Sequence, residues 1–177
     1  GFDLVQKNIT YRISFSKISY FCRMKYRMLT DEELEVFAED LKHFLIVNGV
    51  HTEEWEEINK NDREKAIQLV ELFSDNVLQI VYEKMKFIEH RSEKSCLVFN
   101  CKPDEVELIS LNVKEGVSDL STPESIHDAL VNRPNEIALF KTSKKYAKER
   151  EVEIHEMLTQ GCVNSSEAFW NSLKQLI

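Results

Sequence analysis

Apolar residues at Ala66, Leu69, Val70, Phe73, Val77, Ile80 and Val81 recur at the 3.6-residue period of a helix, with Arg63, Gln68, Glu71, Asp75 and Gln79 on the opposite side. Asn61 and Glu64 stand at capping-box spacing, which predicts the start of this helix. Leu72 and Leu78 lie off the stripe and imply neighbours on more than one side. After Met85 the period changes. Phe87 to Ser92, Ser95 to Cys101 and Val106 to Val113 are short runs rich in Val, Ile, Phe and Leu, separated by polar clusters of hairpin-loop length. Loops this short permit only antiparallel pairing, because a parallel crossover needs a dozen residues or more. A meander packed under the helix is the expected unit. In the third run the apolar phase switches between Leu108 and Ile109, which predicts a bulge or burial on both faces.

On either side of this unit the pattern is helical. Thr30 and Glu33 form a second capping-box pair, and Leu34, Phe37, Ala38, Leu41, Phe44 and Leu45 make one stripe before Gly49. Thr52 to Asn59 reads as a short helix with Trp55 and Ile58 inward. Thr122 followed by Pro123 signals another helix, bounded by Arg133-Pro134. Glu136 to Thr142 reads as a fourth strand, Tyr146 to Gln160 as a helix closed by Gly161, and Asn164 with Glu167 as the cap of a last helix. The fold class expected is α+β, an antiparallel three- or four-stranded sheet covered by helices. Residues 24–177 are expected to form a single domain. Residues 1–23 alternate Ile9, Tyr11, Ile13 and Phe15, then Ile18 and Tyr20, and read as an N-terminal extension or an added strand.

Composition narrows the function classes. The 177 residues are 42% hydrophobic and 31% charged, enough to bury a core and remain soluble. A net charge of −8 disfavours whole-surface attraction to nucleic acid or anionic lipid. Residues 1–23 carry +3 of that total, so the remainder is more acidic than the whole. With only four glycines, GxGxxG, GxxxxGK[ST] and GxSxG are all absent, so phosphate-cradling loops and the hydrolase nucleophile elbow have no support. The four cysteines form no C-x-x-C pair and read as reduced, mostly buried thiols. Cys96 and Cys101, five apart on one strand, point to opposite faces. No run approaches the ~18 apolar residues of a membrane span, and no signal-peptide pattern opens the sequence, so a cytoplasmic protein is expected.

Candidate chemistry is sparse. His155-Glu156 begins an H-E-x-x-H pattern, but position 159 is Thr159, so the metalloprotease reading fails. The five histidines show no ligand spacing, and neither metal nor cofactor is expected. Glu89-His90-Arg91-Ser92 is the densest stretch; alternation sets His90 opposite Glu89 and Arg91, as in a hydrogen-bonded strand end more than an acid–base unit. Residues 141–150 hold Lys141, Lys144, Lys145, Lys148 and Arg150 against Glu149, a net of +4. Residues 30–59 hold ten acids against Lys42, a net of −9.

Met24-Lys25-Tyr26-Arg27 with Leu29-Thr30, Phe73-Ser74-Asp75, Glu89-His90-Arg91-Ser92, and Ser143-Lys144-Lys145-Tyr146 with Glu149-Arg150-Glu151 resemble an uncharacterised family of small acidic Bacteroidota proteins, a domain of unknown function, over residues 24–177. The resemblance implies a bacterial cytoplasm and sets residues 1–23 outside the domain. It implies no activity, cofactor or catalytic residue. The reading reached is a non-catalytic protein-interaction module in which Lys144, Lys145, Lys148 and Arg150 dock an acidic protein surface or a second copy of the chain. Nucleic acid is a less favoured partner, and a membrane is not expected. The alternative is an enzyme or nucleic-acid-binding protein with a site near His90 and Arg91 and the 141–150 segment.

Overall fold

The computed structural model describes residues 24–177; the strand pattern between Ile9 and Tyr20, and Cys22, lie outside them. The chain divides into two compact units, which meet in sequence between Leu78 and Gln79.

In the first unit, helices α1 (Asp31–Val36), α2 (Ala38–Val47) and α3 (Thr52–Asn61) precede α4 (Arg63–Lys84), which continues past the unit boundary. The Thr30 capping box forms: its hydroxyl accepts from the Glu33 N–H at 3.2 Å, and the Glu33 carboxylate accepts from the Thr30 N–H at 2.9 Å. Arg27 grips the same carboxylate with both guanidinium nitrogens, at 2.7 and 2.8 Å, and this fork, with the Thr30 bonds, lowers the Glu33 pKa to about 2. The single stripe expected from Leu34 to Leu45 is broken at Phe37, whose backbone at φ −100° and ψ 20° has left the helical range. Hydrophobic periodicity does not register one residue's dihedrals. α3 runs on to Asn61, so the cap of α4 moves one residue along, to Asp62, whose carboxylate accepts from the Lys65 N–H at 3.1 Å. Ala66, Leu69, Phe73 and Val77 of the expected stripe are buried, and so is Leu78 off it. Phe44 packs its ring 5.5 Å from that of Phe73. Residues 25–29 are tied to α4 through hydrogen bonds. The Asp75 carboxylate accepts from the Lys25 and Tyr26 N–H groups, and the buried Ser74 hydroxyl accepts from Leu29 N–H and donates to the Val70 carbonyl.

The second unit is built on an open antiparallel sheet of β1 (Phe87–Arg91), β2 (Ser95–Cys101), β3 (Glu105–Val113), β4 (Ile137–Lys145) and β5 (Val163–Asn164), in the order β4-β3-β2-β1-β5. The expected meander forms with continuous register. The sheet has five strands, not three or four, because β5 adds two residues against Ile88 and Glu89. Two residues are too short to leave a periodic signal. The phase switch in β3 reflects burial on both faces: Ile109, Ser110 and Leu111 are all buried in unbroken register with β2 and β4. One face, carrying Cys96, Val98, Ile109 and Leu111, packs with Ile126 and Ala129 of α5 (Pro123–Asn132) and Trp170 and Leu173 of α7 (Glu167–Lys174). Thr122 caps α5 with Pro123 at its first position, while α7 is capped by Ser166, not Asn164, which belongs to β5. Between β3 and β4 the chain wraps Glu136, whose carboxylate accepts from the Ser118 N–H and hydroxyl. Gly116 is required there, since its φ is +106° and a Cβ would fall 2.3 Å from that carboxyl carbon.

β4 extends three residues beyond its expected end, and α6 (Arg150–Thr159) starts four residues later than Tyr146. The cause is Glu153. Its carboxylate accepts from the Ala147 and Lys148 N–H groups, which holds the approach to α6 out of helical conformation.

Candidate functional site

The sequence-derived candidates fall in two places, both in the second unit. His90 and Arg91 lie at the end of β1, where Arg91 pairs with Glu89 at 2.6 Å across one residue, as alternation requires. The Ser165 hydroxyl donates to the same Glu89 carboxylate at 2.7 Å, and the Arg91 guanidinium stands 5.2 Å from the Phe169 ring centre. Arg91 Nε is buried with no hydrogen-bond partner among the described residues. His90 is on the other face of the strand, beyond Gly161. Glu89, Arg91 and Ser165 thus form a paired ion cluster at a strand end, and His90 does not join it.

The cationic segment is three strands away, a lateral separation of about 14 Å at ~4.8 Å per strand. It falls into three environments. Lys144 is 69% exposed along its side chain and reaches Glu153 at 3.3 Å; Lys148 pairs with Glu156. Lys145 is exposed at the end of β4 and has no hydrogen-bond partner among the described residues. Arg150 is turned inward, with its side chain 12% exposed. Its guanidinium donates to the carbonyls of Tyr82 (2.9 Å) and Met85 at the end of α4, and to those of Cys101 (3.0 Å) and Lys102 (3.2 Å) at the end of β2. The Tyr82 and Met85 carbonyls lie at the C-terminus of α4, at the negative end of its dipole, where a cation is favoured. Tyr146 adds its hydroxyl to the Lys102 carbonyl at 2.9 Å, and burial pushes its phenol pKa up.

Around this clamp the titration shifts follow from burial and pairing. Burial alone would raise Glu153; the Lys148 and Ala147 N–H groups and the Lys144 ammonium outweigh it and lower its pKa. Glu107 behaves alike, with Lys102 at 3.1 Å and Lys141 at 4.0 Å overcoming desolvation. Burial pushes the Cys96 and Cys101 thiols up to about 11, which keeps both protonated and unreactive at neutral pH. His155, the half-motif of the sequence, sits with Nδ1 2.9 Å from the Tyr82 hydroxyl. Among the described residues no group of three His, Cys, Asp or Glu side chains assembles as a metal set, and no helix is long and apolar enough to cross a membrane.

The family comparison covers the whole described chain: residues 24–177 match the family described as Family of unknown function (DUF6495). The protein belongs to that family. No curated protein and no solved structure matches the chain.

Proposed function

We propose that this member of the DUF6495 family is a non-catalytic interaction module of the bacterial cytoplasm, residues 24–177 acting as one domain, which receives an acidic protein surface on the cationic segment 141–148. The observation that carries the reading is the contrast within that segment. Glu153 holds the Ala147 and Lys148 N–H groups and β3 pairs the strand before them, so Lys144 and Lys145 are displayed on a preorganised strand end and not on a loose tail. Preorganised cations at an exposed site select a partner by charge and speed its encounter.

Anisotropy with fluorescently labelled poly-L-glutamate tests this directly. Binding should weaken as salt rises past ~0.15 M, where the screening length is about 8 Å. Combining Lys144→Gln with Lys145→Glu removes both cations without setting an acid beside Glu153, and should weaken binding by roughly tenfold or more. Equal affinity of this variant and the unaltered chain would end the proposal, and tighter, salt-sensitive binding of a single-stranded oligonucleotide would redirect it to nucleic acid.

A further inference from the structure

We infer that the partner binds as an extended acidic peptide that adds a sixth strand to the sheet along the outer edge of β4. This rests on the interaction reading above and deepens it. The two edges of the sheet are unlike. β5 offers two residues, whereas β4 offers nine, and from Phe140 to Lys145 every residue is exposed. Among the described residues no strand pairs on the outer side of β4.

The hydrogen-bonding phase of this edge follows from two bonds at its far end. Val113 N–H donates to the Lys94 carbonyl, so the odd residues of β3 bond toward β2; Lys114 N–H donates to the Glu136 carbonyl, so the even residues bond toward β4. Ala138, Phe140, Thr142 and Lys144 therefore face β3. Leu139, Lys141, Ser143 and Lys145 turn N–H and C=O outward, a ladder available to an incoming strand, while the Ile137 N–H is already given to the Pro134 carbonyl.

The side chains say what that strand carries. Lys141, Ser143 and Lys145 project on one face and Phe140, Thr142 and Lys144 on the other. On the first face Lys102 and these two lysines outnumber Glu105 and Glu107, and Glu107 stands on the inner side of Lys141 at 4.0 Å. An added strand would set glutamates opposite Lys141 and Lys145 and an apolar residue beside Phe140, which is 60% exposed. The same lysines disfavour a second copy of β4 on this edge, since antiparallel self-pairing brings cation toward cation. Charge complementarity thus selects an alternating acidic and apolar segment.

The test uses the full chain and a synthetic nine-residue peptide (roughly the length of β4) alternating glutamate and valine. Ser143→Pro removes one outward N–H and leaves the ladder to β3 and all lysines in place, an arrangement edge strands tolerate. It should weaken peptide binding by roughly tenfold or more. Two further peptides, N-methylated on alternate residues in the two possible phases, probe the same ladder with the protein unaltered, should the proline variant not fold. One phase should lose binding and the other should keep it within about threefold. If both methylated peptides and Ser143→Pro bind as the parent pair does, while the Lys144→Gln, Lys145→Glu variant does not, strand addition is wrong and the charge reading stands. If that lysine variant also binds normally, both fall. Concentration-dependent dimerisation abolished by Ser143→Pro, with no peptide binding, would assign the edge to a second copy and overturn the inference.

Discussion

Arg150 and Lys145 belong to one basic run in the sequence, yet they live in opposite environments. Arg150 is a structural cation whose fork joins the ends of α4 and β2 to the start of α6; Lys145 is a solvated cation at the end of an edge strand. The planar guanidinium with its five donors suits the first setting, and the compact ammonium suits the second. A charge run therefore mixes residues that hold the fold with residues that are free to meet a partner, and only the backbone path separates them.

The sharpest way to break this contrast is Arg150→Ala. It takes the guanidinium from the carbonyls of Met85 and Cys101 and leaves those of Tyr82 and Lys102 with one donor fewer, and should cost about 3–5 kcal/mol, or roughly 10 °C in melting temperature for a chain of this size. Arg150→Lys keeps the charge but not the fork, and should recover only part of the loss. A melting temperature within about 2 °C of the parent for Arg150→Ala would show that the clamp is incidental.

Next in size is Glu153→Gln, which keeps shape but weakens the charge-assisted bonds from Ala147, Lys148 and Lys144, at a cost of about 1–2 kcal/mol. The sign with pH is fixed. The folded-state pKa of Glu153 is lowered, so its contribution is complete above the ordinary value of 4.5 and is lost as pH falls through the lowered value. Melting scans from pH 7 to about pH 3 should bring parent and variant together at the acid end. Curves that stay parallel would remove Glu153 from the account. Glu33 in the first unit, lowered to about 2 by Arg27, should add acid sensitivity in the same direction, read as a smaller acid loss in Glu33→Gln.

The smallest effect belongs to Lys145→Gln, expected within about 0.5 kcal/mol of the parent, since exposed charges contribute little to stability and the neutral amide sets no like charge opposite Glu105. A larger destabilisation would place Lys145 with Arg150 as a residue that holds the fold, and the contrast would collapse.

Much of the fold was legible because it rests on local chemistry. The capping box at Thr30, the Thr122 cap with Pro123 at the first helical position, the meander from Phe87 to Val113 and the buried face of α4 are written within a few turns or hairpins of sequence, where spacing decides which side chains share a face. Alternation likewise separated His90 from Glu89 and Arg91. The misplaced boundaries share another cause. Asp62 replaced Asn61 as a cap because α3 ran on, Ser166 replaced Asn164 because β5 claimed that residue, and α6 began late because Glu153 bonds back to Ala147 and Lys148.

By itself, then, the sequence determined the element types, the α+β class and the uneven charge, since periodicity, caps and composition act over short distances along the chain. Tertiary structure alone decided that a fifth strand joins β1, that the two candidate clusters lie apart, and that Arg150 faces inward while Lys145 faces out. Those outcomes depend on which distant backbone groups lack hydrogen-bond partners until the chain folds, and the carbonyls of Tyr82, Met85, Cys101 and Lys102 are brought to one point only then.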